Sequence, residues 1–348
     1  MNSAEDLVAV GRRQERLCAD NGSPTYAQII SAIVERIHDR SEAAVELLYE
    51  DPRPAIESAL FLRLLGAVHR LVLAGDGCGL ERCYPSAGGE LDAEGATSRF
   101  FPFVDAKREV VAQEMQVAVQ TNDVGRSGVI SAGLRYIAGV VGRPLRLLEV
   151  GASAGLNLWC DRYFVDAGCS SWGPPESSVR LTGLFREGCP GGTEFTIVER
   201  AGCDLAPVDA LSDRGRAHLR SFIWPEDLAR LSRLDAALSI FPGAELQAAD
   251  ATEWIEGRLD ACSGDVATVV FHSIVMPYLA RGQRDRVQAA IETAGQSATG
   301  DRPLAWLRLE PLETQGVVVS LDLWPHGLHL TLARCSPHGA EIVWKPDQ

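Results

Sequence analysis

Hydrophobic residues recur at helical spacing along the first part of the chain. After Pro24, the residues Ile29, Ile33 and Ile37 fall on one face of a helix. The last such segment is followed by Gly142-Arg143-Pro144, and glycine and proline together end helices. The pattern therefore predicts an all-helical N-terminal region over residues 1–143, with helices that start near Pro24 and Ser41 and others over about 54–74, 105–120 and 127–141.

From Pro144 onward, short apolar runs alternate with helical segments. Such alternation is typical of a mostly parallel sheet with helices on both faces. The last three runs follow one another too closely for crossover helices, so we expect them to pair antiparallel at one edge. The expected fold is Rossmann-like α/β over 144–348, with a helical insertion at 205–240. The predicted strands are 145–150, 195–199, 244–247, 267–272, 304–309, 317–323, 328–333 and 342–344, and the main predicted helices between them are 226–238 and 283–293.

Composition narrows the classes of protein to consider. Of the 348 residues, 46% are hydrophobic and 23% are charged, which is typical of globular proteins. The formal net charge of −14 disfavours a general electrostatic contact with nucleic-acid phosphates. Glu5 and Asp6 stand where a secretory signal needs basic residues, and no apolar run approaches the ~20 residues of a membrane span. We expect a cytoplasmic protein that binds a small molecule, and the sequence leaves its oligomeric state open.

The cysteines give no sign of a framework. Nine are spread along the chain without a CxxC pair or regular spacing, which favours reduced thiols over disulfides. Cys78 and Cys83 flank a glycine-containing loop, but two ligands do not make a zinc site. His326 and His329 also lack a third ligand nearby. We therefore predict no metal site.

The most informative stretch is residues 145–158, with the sequence LRLLEVGASAGLNL. A buried strand is predicted to end at Val150, Gly151 and Gly155 bracket a tight turn, and a helix is predicted to start at Leu156. Glycines let a backbone approach a ligand, and a helix N-terminus offers free N–H groups. The turn is close to the E/D-x-G-x-G-x-G turn that holds S-adenosylmethionine in the common methyltransferase fold, with Ser153 replacing the middle glycine. Turns of this kind also occur without a ligand.

The same turn satisfies G-x-S-x-G, the nucleophile elbow of α/β-hydrolases. Ser153 would then attack an ester, with Asp322 and His329 following in the order that a hydrolase needs. An α/β-hydrolase has several strands before its elbow, however, whereas the predicted strand 145–150 is the first in this chain. The order of elements therefore disfavours a serine esterase.

Further stretches extend the pattern over most of the chain. They are QTNDVGR (120–126), LLEVGASAGLNL (147–158), DRY (161–163), GCDLAPVD (202–209), WP (224–225), ADA (249–251), VVFHSIVMPYL (269–279) and LARCSPHGAEIVW (332–344). Together they make the chain similar, from about residue 40 to its end, to the bacterial family of domain of unknown function 2332. The resemblance implies a class I methyltransferase-like fold and S-adenosylmethionine as cofactor, although the family has no assigned activity.

A bound S-adenosylmethionine would give several acids a role. Glu149 could face its amino group or order the turn. An acid after the second strand binds ribose hydroxyls in such folds, and we choose Asp204 for this role, with Glu199 as the competitor. Asp250 could accept from the adenine amino group, although its surroundings also read as a helix N-terminus. The predicted cofactor-binding residues are Glu149, Gly151, Ala152, Ser153, Gly155, Asp204, Asp250 and Ala251.

His272 is the candidate for proton chemistry. It follows an apolar run at the carboxyl end of a predicted strand, which is the edge where ligands lie in open α/β sheets. It could take a proton from a substrate nucleophile, and a histidine that only bonds its neighbouring loop is the alternative. Asn122, Arg126 and Tyr278 are the predicted substrate-binding residues. Arg126 could bind a carboxylate of the substrate through two hydrogen bonds, or it could instead form an ion pair with Asp123.

The sequence thus leads to one expected function and two alternatives. We expect an S-adenosylmethionine-dependent methyltransferase that acts on an unidentified small molecule, with catalysis mainly by positioning. The first alternative is a non-catalytic protein that keeps the fold to bind a ligand or a partner. The second is the serine esterase that uses Ser153.

Overall fold

The structure is a computed structural model, and it describes residues 2–56, 58–259, 265–312 and 316–347. The chain divides into two compact units. The first consists of Met1–Thr121 and Ser212–Ser232, and the second of Asn122–Leu211 and Arg233–Gln348. Part of the helical insertion expected at 205–240 therefore belongs with the N-terminal helices. Among the described residues, no helix is long and apolar enough to cross a membrane.

Helices make up the first unit and flank the sheet of the second. In chain order, the helices are α1 (Ala4–Asp20), α2 (Pro24–Glu35), α3 (Ala43–Glu50), α4 (Leu60–Leu73), α5 (Ala93–Ala106), α6 (Arg108–Glu114), α7 (Arg126–Val141), α8 (Asp213–Ser221), α9 (Leu228–Ile240), α10 (Ala251–Leu259) and α11 (Arg281–Gln296). Helices α1–α6 and α8 lie in the first unit, and α7, α10 and α11 lie in the second. The helical character of the N-terminal region is confirmed, although α7, which was predicted as part of it, belongs to the second unit.

Two predicted helices differ in extent, and two helices, α1 and α5, were not among the predicted segments. The helix predicted over 54–74 begins only at Leu60, because Ala59 before it has a left-handed φ of 48°. The helix predicted over 105–120 is shortened to α6. Helix α5 contains Pro102, which lacks an N–H donor and obscures the helical pattern. It starts where the Asp92 carboxylate accepts from the Gly95 amide at 2.8 Å.

A nine-stranded sheet forms the centre of the second unit. Five of its strands lie side by side in the order β7-β6-β1-β8-β9 and are parallel, whereas β10, β11 and β12 follow antiparallel. The mostly parallel sheet with antiparallel C-terminal strands is thus confirmed. The strands are β1 (Leu145–Val150), β2 (Phe164–Asp166), β3 (Ser171–Trp172), β4 (Arg180–Thr182), β5 (Phe185–Glu187), β6 (Ile197–Asp204), β7 (Glu245–Ala248), β8 (Ala267–Ser273), β9 (Leu304–Leu312), β10 (Gly316–Trp324), β11 (Leu328–Cys335) and β12 (Ile342–Trp344).

The segment between β1 and β6 holds strands that the sequence did not predict. Strands β2, β3 and β4 form a separate small sheet, and β5 pairs with β12 at the edge of the large one. These strands have only two or three residues each, too few to show a period of two. Strand β6 also runs five residues beyond its predicted end and finishes at Asp204.

Each face of the large sheet is packed against helices. Leu148 and Val150 of β1 belong to the core cluster that includes Ile255 of α10 and Ile291 of α11. Because side chains alternate along a strand, Glu149 points to the opposite face. The order of strands reverses between β1 and β8, since the chain first adds β6 and β7 on one side of β1 and then β8 and β9 on the other.

Two cysteines are joined in the structure. Cys169 and Cys189 form a disulfide, so the expectation of reduced thiols is wrong for this pair. Spacing alone could not reveal it, because the pairing depends on how the segment between β1 and β6 folds back. Cys262 lies outside the described residues. The free cysteines are Cys18, Cys78, Cys83, Cys160, Cys203 and Cys335.

Candidate functional site

A tight turn follows β1 at the carboxyl edge of the parallel strands. Gly151, Ser153 and Gly155 have positive φ angles of 69°, 53° and 76°. Ser153 carries a Cβ, and a left-handed residue with a side chain is strained by roughly 1–3 kcal/mol. Gly151 is also required for space, since a Cβ there would lie 2.3 Å from Cγ2 of Val275. The surrounding structure therefore holds this turn in one conformation.

The α-helix predicted to start at Leu156 is not formed. The segment Leu156–Arg162 is a 3₁₀-helix with a kink at Trp159 (φ −105°, ψ 22°). The Leu156 carbonyl accepts from the Tyr163 hydroxyl at 2.7 Å, and the Leu158 carbonyl accepts from Arg200 Nε at 2.9 Å. Side chains thus take the carbonyls that an α-helix would use for its own hydrogen bonds. The turn is not followed by the helix N-terminus that the sequence suggested.

Most backbone amides of the turn donate to groups of the protein. The Ala152 amide donates to the Cys203 carbonyl at 2.9 Å, and the Ser153 amide donates to Oδ2 of Asp204 at 2.9 Å. The Leu156 amide donates to Oδ1 of Asn122 at 2.8 Å. These amides are therefore unavailable to a ligand in this conformation. A ligand at this turn would have to be bound by side chains.

Two buried oxygens near the turn lack a hydrogen-bond partner among the described residues. They are Oε2 of Glu149 and Oγ of Ser153. Glu149 is 1% exposed to solvent, and Ser153 is 5% exposed. Burial raises the pKa of Glu149 well above its usual range, and the positive charge of Arg126 acts in the opposite direction. Glu149 is therefore a carboxyl group that burial drives toward its protonated form.

Arg126 and Asn122 are fixed by the protein rather than free to move. Arg126 donates through Nε to the Pro337 carbonyl at 2.9 Å and through Nη1 to the Ser273 carbonyl at 3.0 Å. Asp123 bonds Nδ1 of His338 at 2.8 Å. The segments around residues 122–126 and 336–339, both singled out in the sequence, thus meet beside the turn.

The predicted ribose and adenine acids lie at strand ends. Asp204 ends β6, and its carboxylate accepts from the amides of Ser153 and Ala206 at 2.9 Å each. Glu199, its competitor, lies inside β6 and pairs with Arg146 at 2.8 Å. Glu199 is therefore not at the carboxyl edge, because the strand continues five residues past it.

Asp250 occupies the start of α10. Its Oδ1 accepts from the Thr252 amide at 2.8 Å, and its Oδ2 accepts from Gln283 at 2.7 Å. The hydrogen bonds from Thr252 lower the pKa of Asp250, with a smaller contribution from Gln283. Asp250 thus caps a helix, and Ala251 is the first residue of that helix.

His272 is fully buried, and both of its ring nitrogens are hydrogen bonded. Nδ1 lies 2.6 Å from Oε1 of Glu310, and Nε2 accepts from the Trp306 indole at 3.1 Å. A carboxylate can only accept, so the proton of the neutral ring is on Nδ1. A substrate reaches Nε2 only if Trp306 gives up its bond.

Glu310 is a residue of this region that the sequence reasoning missed. Its Oε1 also accepts from the Val275 amide at 3.0 Å, and its Oε2 is buried without a partner among the described residues. Glu310 stands directly after the predicted strand 304–309, although β9 itself continues to Leu312. An acid at a strand end was therefore a signal that could have identified it. The predicted substrate residue Tyr278, by contrast, is 73% exposed.

The structure does not assemble the esterase triad. Asp322 and His329 do bond each other, on β10 and β11. However, β10 is three strands away from β1 in the sheet, which corresponds to about 14 Å. Oγ of Ser153 has no hydrogen-bond partner in the described part of the chain, so the contact between nucleophile and base is missing.

The fold and the site define a mixed α/β protein with polar side chains gathered around a glycine turn at a switch in strand order. Within the described ranges, no group of three His, Cys, Asp or Glu residues is placed to hold a metal ion. The chain belongs to the family described as "Uncharacterized protein conserved in bacteria (DUF2332)", whose model matches residues 9–344. No curated protein and no solved structure matches the chain significantly.

Proposed function

We propose that the carboxyl edge of the parallel strands binds S-adenosylmethionine and that the protein is a methyltransferase for a small molecule. The observation that carries this proposal is the order of the strands. Rossmann-like sheets of the order 3-2-1-4-5 bind nucleotides where that order reverses, outside the carboxyl ends of the strands. Here the five parallel strands have this order, and the glycine turn after β1 lies at the reversal.

Three acids at neighbouring strand ends support a nucleotide-type ligand. Glu149 is near the end of β1, Asp204 ends β6, and Asp250 follows β7, and these strands are adjacent in the sheet. We assign the ligand's amino group to Glu149, its ribose hydroxyls to Asp204 and its adenine amino group to Asp250. Asp204 and Asp250 already accept backbone amides, so each would bind with its remaining lone pairs.

The unpaired oxygens of Glu149 and Ser153 fit such a ligand. A buried oxygen without a partner costs about 1–3 kcal/mol, and amino or hydroxyl groups of a ligand would remove this cost. The chemistry that S-adenosylmethionine supplies when bound is a methyl group activated on a sulfonium. The glycine turn contributes close approach, and its own amides remain bonded to Cys203, Asp204 and Asn122.

In this proposal, His272 is the general base that removes a proton from the methyl acceptor. Glu310 holds the proton on Nδ1 and leaves Nε2 as the basic nitrogen. Trp306 covers Nε2, so the acceptor would have to replace the indole as the partner of this nitrogen. Arg126 and Asn122 are anchored beside the turn and would shape the acceptor's surroundings, together with the exposed Tyr278.

Calorimetry with S-adenosylmethionine and S-adenosylhomocysteine tests the proposal. We expect both to bind the wild-type protein and Glu149→Gln to weaken binding about tenfold, or about 1.4 kcal/mol, because glutamine keeps an acceptor oxygen but cannot ionise beside the ligand's ammonium group. Glutamine resembles the protonated carboxyl that burial favours, so the variant should fold. Glu176→Gln, in an exposed turn, is the matched control. Absence of binding by the wild-type protein would refute the proposal.

A non-catalytic ligand-binding protein is the second candidate. The observation that favours it is that both ring nitrogens of His272 are occupied within the protein. If S-adenosylmethionine binds but His272→Ala leaves methyl transfer unchanged with an acceptor found by screening, His272 is not the base. If the ligand binds and a broad screen of acceptors shows no transfer, the ligand-binding function is the better description.

A further inference from the structure

A cavity lies on the face of the sheet that α11 covers. Its volume is about 320 Å³, within the size range of small-molecule sites. None of its lining residues belongs to the glycine turn or to the acids assigned above. The lining residues are Glu292 and Gln296 of α11, Arg308 of β9, Asp322 and Trp324 of β10, and His329 of β11.

Helix α11 forms one wall of the cavity. The side of the helix that packs on the core is apolar, and the adjacent side, which lines the cavity, is polar. Ile291 is fully buried in the core, whereas Glu292, one position further, lines the cavity. Gly295 lies against Trp324, and a Cβ there would be 2.5 Å from Cδ2 of the indole, so the glycine lets the ring approach the helix. Gln296 then continues the polar side. The cavity therefore has an aromatic wall and a polar helix face.

The charge of Asp322 is already balanced within the cavity. Arg308 forms an ion pair with it, and His329 bonds its other oxygen. The Arg308 guanidinium also lies 4.1 Å from the ring centre of Trp306, which holds it in place. Glu292, in contrast, bonds only the amide of Gln288, at 2.8 Å, within the described residues. Glu292 forms no ion pair within the described residues, although the charge of Arg308 acts on it, so Arg308, Asp322 and Glu292 together leave the cavity with one negative charge in excess.

Asp322 also determines what His329 offers to a ligand. The carboxylate accepts from Nδ1, so the neutral ring carries its proton there and Nε2 is an acceptor. The His329 side chain is 66% exposed, so this nitrogen is accessible. The lining of the cavity thus includes three side chains that carry an acceptor, namely His329 through Nε2, Glu292 through its carboxylate and Gln296 through its amide oxygen.

We propose that this cavity binds a small primary amine in its ammonium form. An ammonium group has three N–H donors, which matches three acceptors, and its charge complements the excess negative charge that Glu292 brings to the cavity. A short aliphatic stem would pack against the indole of Trp324. The site is separate from the one proposed for S-adenosylmethionine and does not depend on it.

Three probes of equal length test the charge and donor requirement on the full chain. Binding of n-butylammonium, n-butanol and butyrate is measured by calorimetry or by line broadening of the probe in NMR spectra. We expect n-butylammonium to bind at least tenfold more tightly than n-butanol, and butyrate to bind most weakly. Glu292→Gln should weaken n-butylammonium at least tenfold, whereas Asp285→Asn, an exposed acid on the same helix, should leave it unchanged.

Each other outcome overturns the proposal. Tighter binding of butyrate would indicate an anion site at Arg308, and equal binding of n-butanol would indicate apolar contact alone. Unchanged affinity of Glu292→Gln would remove Glu292 as the counter-charge. Glu292→Gln should bind S-adenosylmethionine like the wild-type protein, and a failure of S-adenosylmethionine to bind would leave the n-butylammonium result standing, so the two proposals fail separately.

Discussion

Burial changes the protonation chemistry of individual residues in both units. Glu149 in the second unit and His69 in the first are 1% and 0% exposed, and in each case desolvation disfavours the charged form. The pKa of Glu149 is raised and that of His69 is lowered to about 4. The two groups therefore link stability to pH in opposite directions.

Glu149→Gln should become more stable relative to the wild-type protein as pH rises. The folded state holds the Glu149 proton more tightly than the unfolded state, whose pKa is near 4.5, so the wild type loses stability above that pH. The difference should grow by about 1.4 kcal/mol per pH unit until the folded pKa is reached. Urea unfolding at pH 5, 6 and 7 measures it, and a pH-independent difference would contradict the assignment.

Acid should destabilise the protein through His69. Its nitrogens bond the Ser221 carbonyl at 3.1 Å and the Ser86 hydroxyl at 2.7 Å, and burial keeps the ring neutral. Between pH 6.5 and about 4 the unfolded state binds the proton first, so stability falls by about 3 kcal/mol as pH decreases.

His69→Gln tests this origin of the acid sensitivity. The variant should lack the corresponding part of the pH dependence in urea unfolding curves, although it starts from a lower stability. His326→Gln, at an exposed position, is the control and should keep the full dependence. Equal slopes for the wild-type protein and His69→Gln between pH 6.5 and 4 would exclude His69 as the source.

Elements differ in how strongly the local sequence determines them. Strands β1 and β8 are buried at every position. Both were predicted almost to the residue, because a short, continuous apolar run between two turns is typical of a strand that is buried on both faces. The sequence of Leu156–Arg162 predicts an α-helix, but the segment is a 3₁₀-helix, because the side chains of Tyr163 and Arg200 donate hydrogen bonds to its carbonyl groups. Contacts between distant side chains decided that element.

Gly295→Ala should destabilise the protein by about 1–3 kcal/mol. The added methyl would overlap the Trp324 ring at 2.5 Å, and this overpacking outweighs the helix propensity that alanine gains. Gly282→Ala on the same helix has no atom within 4 Å of its new Cβ and should be neutral or slightly stabilising. Thermal unfolding of both variants measures the difference. Equal midpoints would show that the Trp324 ring can move away from the added methyl group without loss of stability.

The stability of the whole molecule includes a covalent contribution that the sequence did not indicate. The disulfide between Cys169 and Cys189 closes a loop with a sequence separation of 20. In the chain-entropy model such a loop contributes about 3 kcal/mol, a large share of the 5–15 kcal/mol that holds a typical domain folded.

Cys169→Ser/Cys189→Ser should therefore lower the unfolding free energy by about 3 kcal/mol under oxidising conditions. A reducing agent should bring the wild-type protein close to the variant, whereas Cys78→Ser, at an exposed free cysteine, should behave as the wild type. Thiol titration of the unfolded, unreduced protein should find two thiols fewer than after reduction. Finding the same number before and after reduction would show that the bond is absent.

The sequence by itself determined the helical first region, the parallel strands and the glycine turn after β1, since these follow from local periodicity and from glycine's conformational range. It also placed acids near the strand ends. Only the tertiary structure decided that Asp204 bonds the turn, that Glu310 and Trp306 occupy His272, and that Asp322 and His329 lie beside Trp324. Hydrogen bonds between residues distant in the chain depend on how strands are ordered in the sheet, and no local pattern encodes that order.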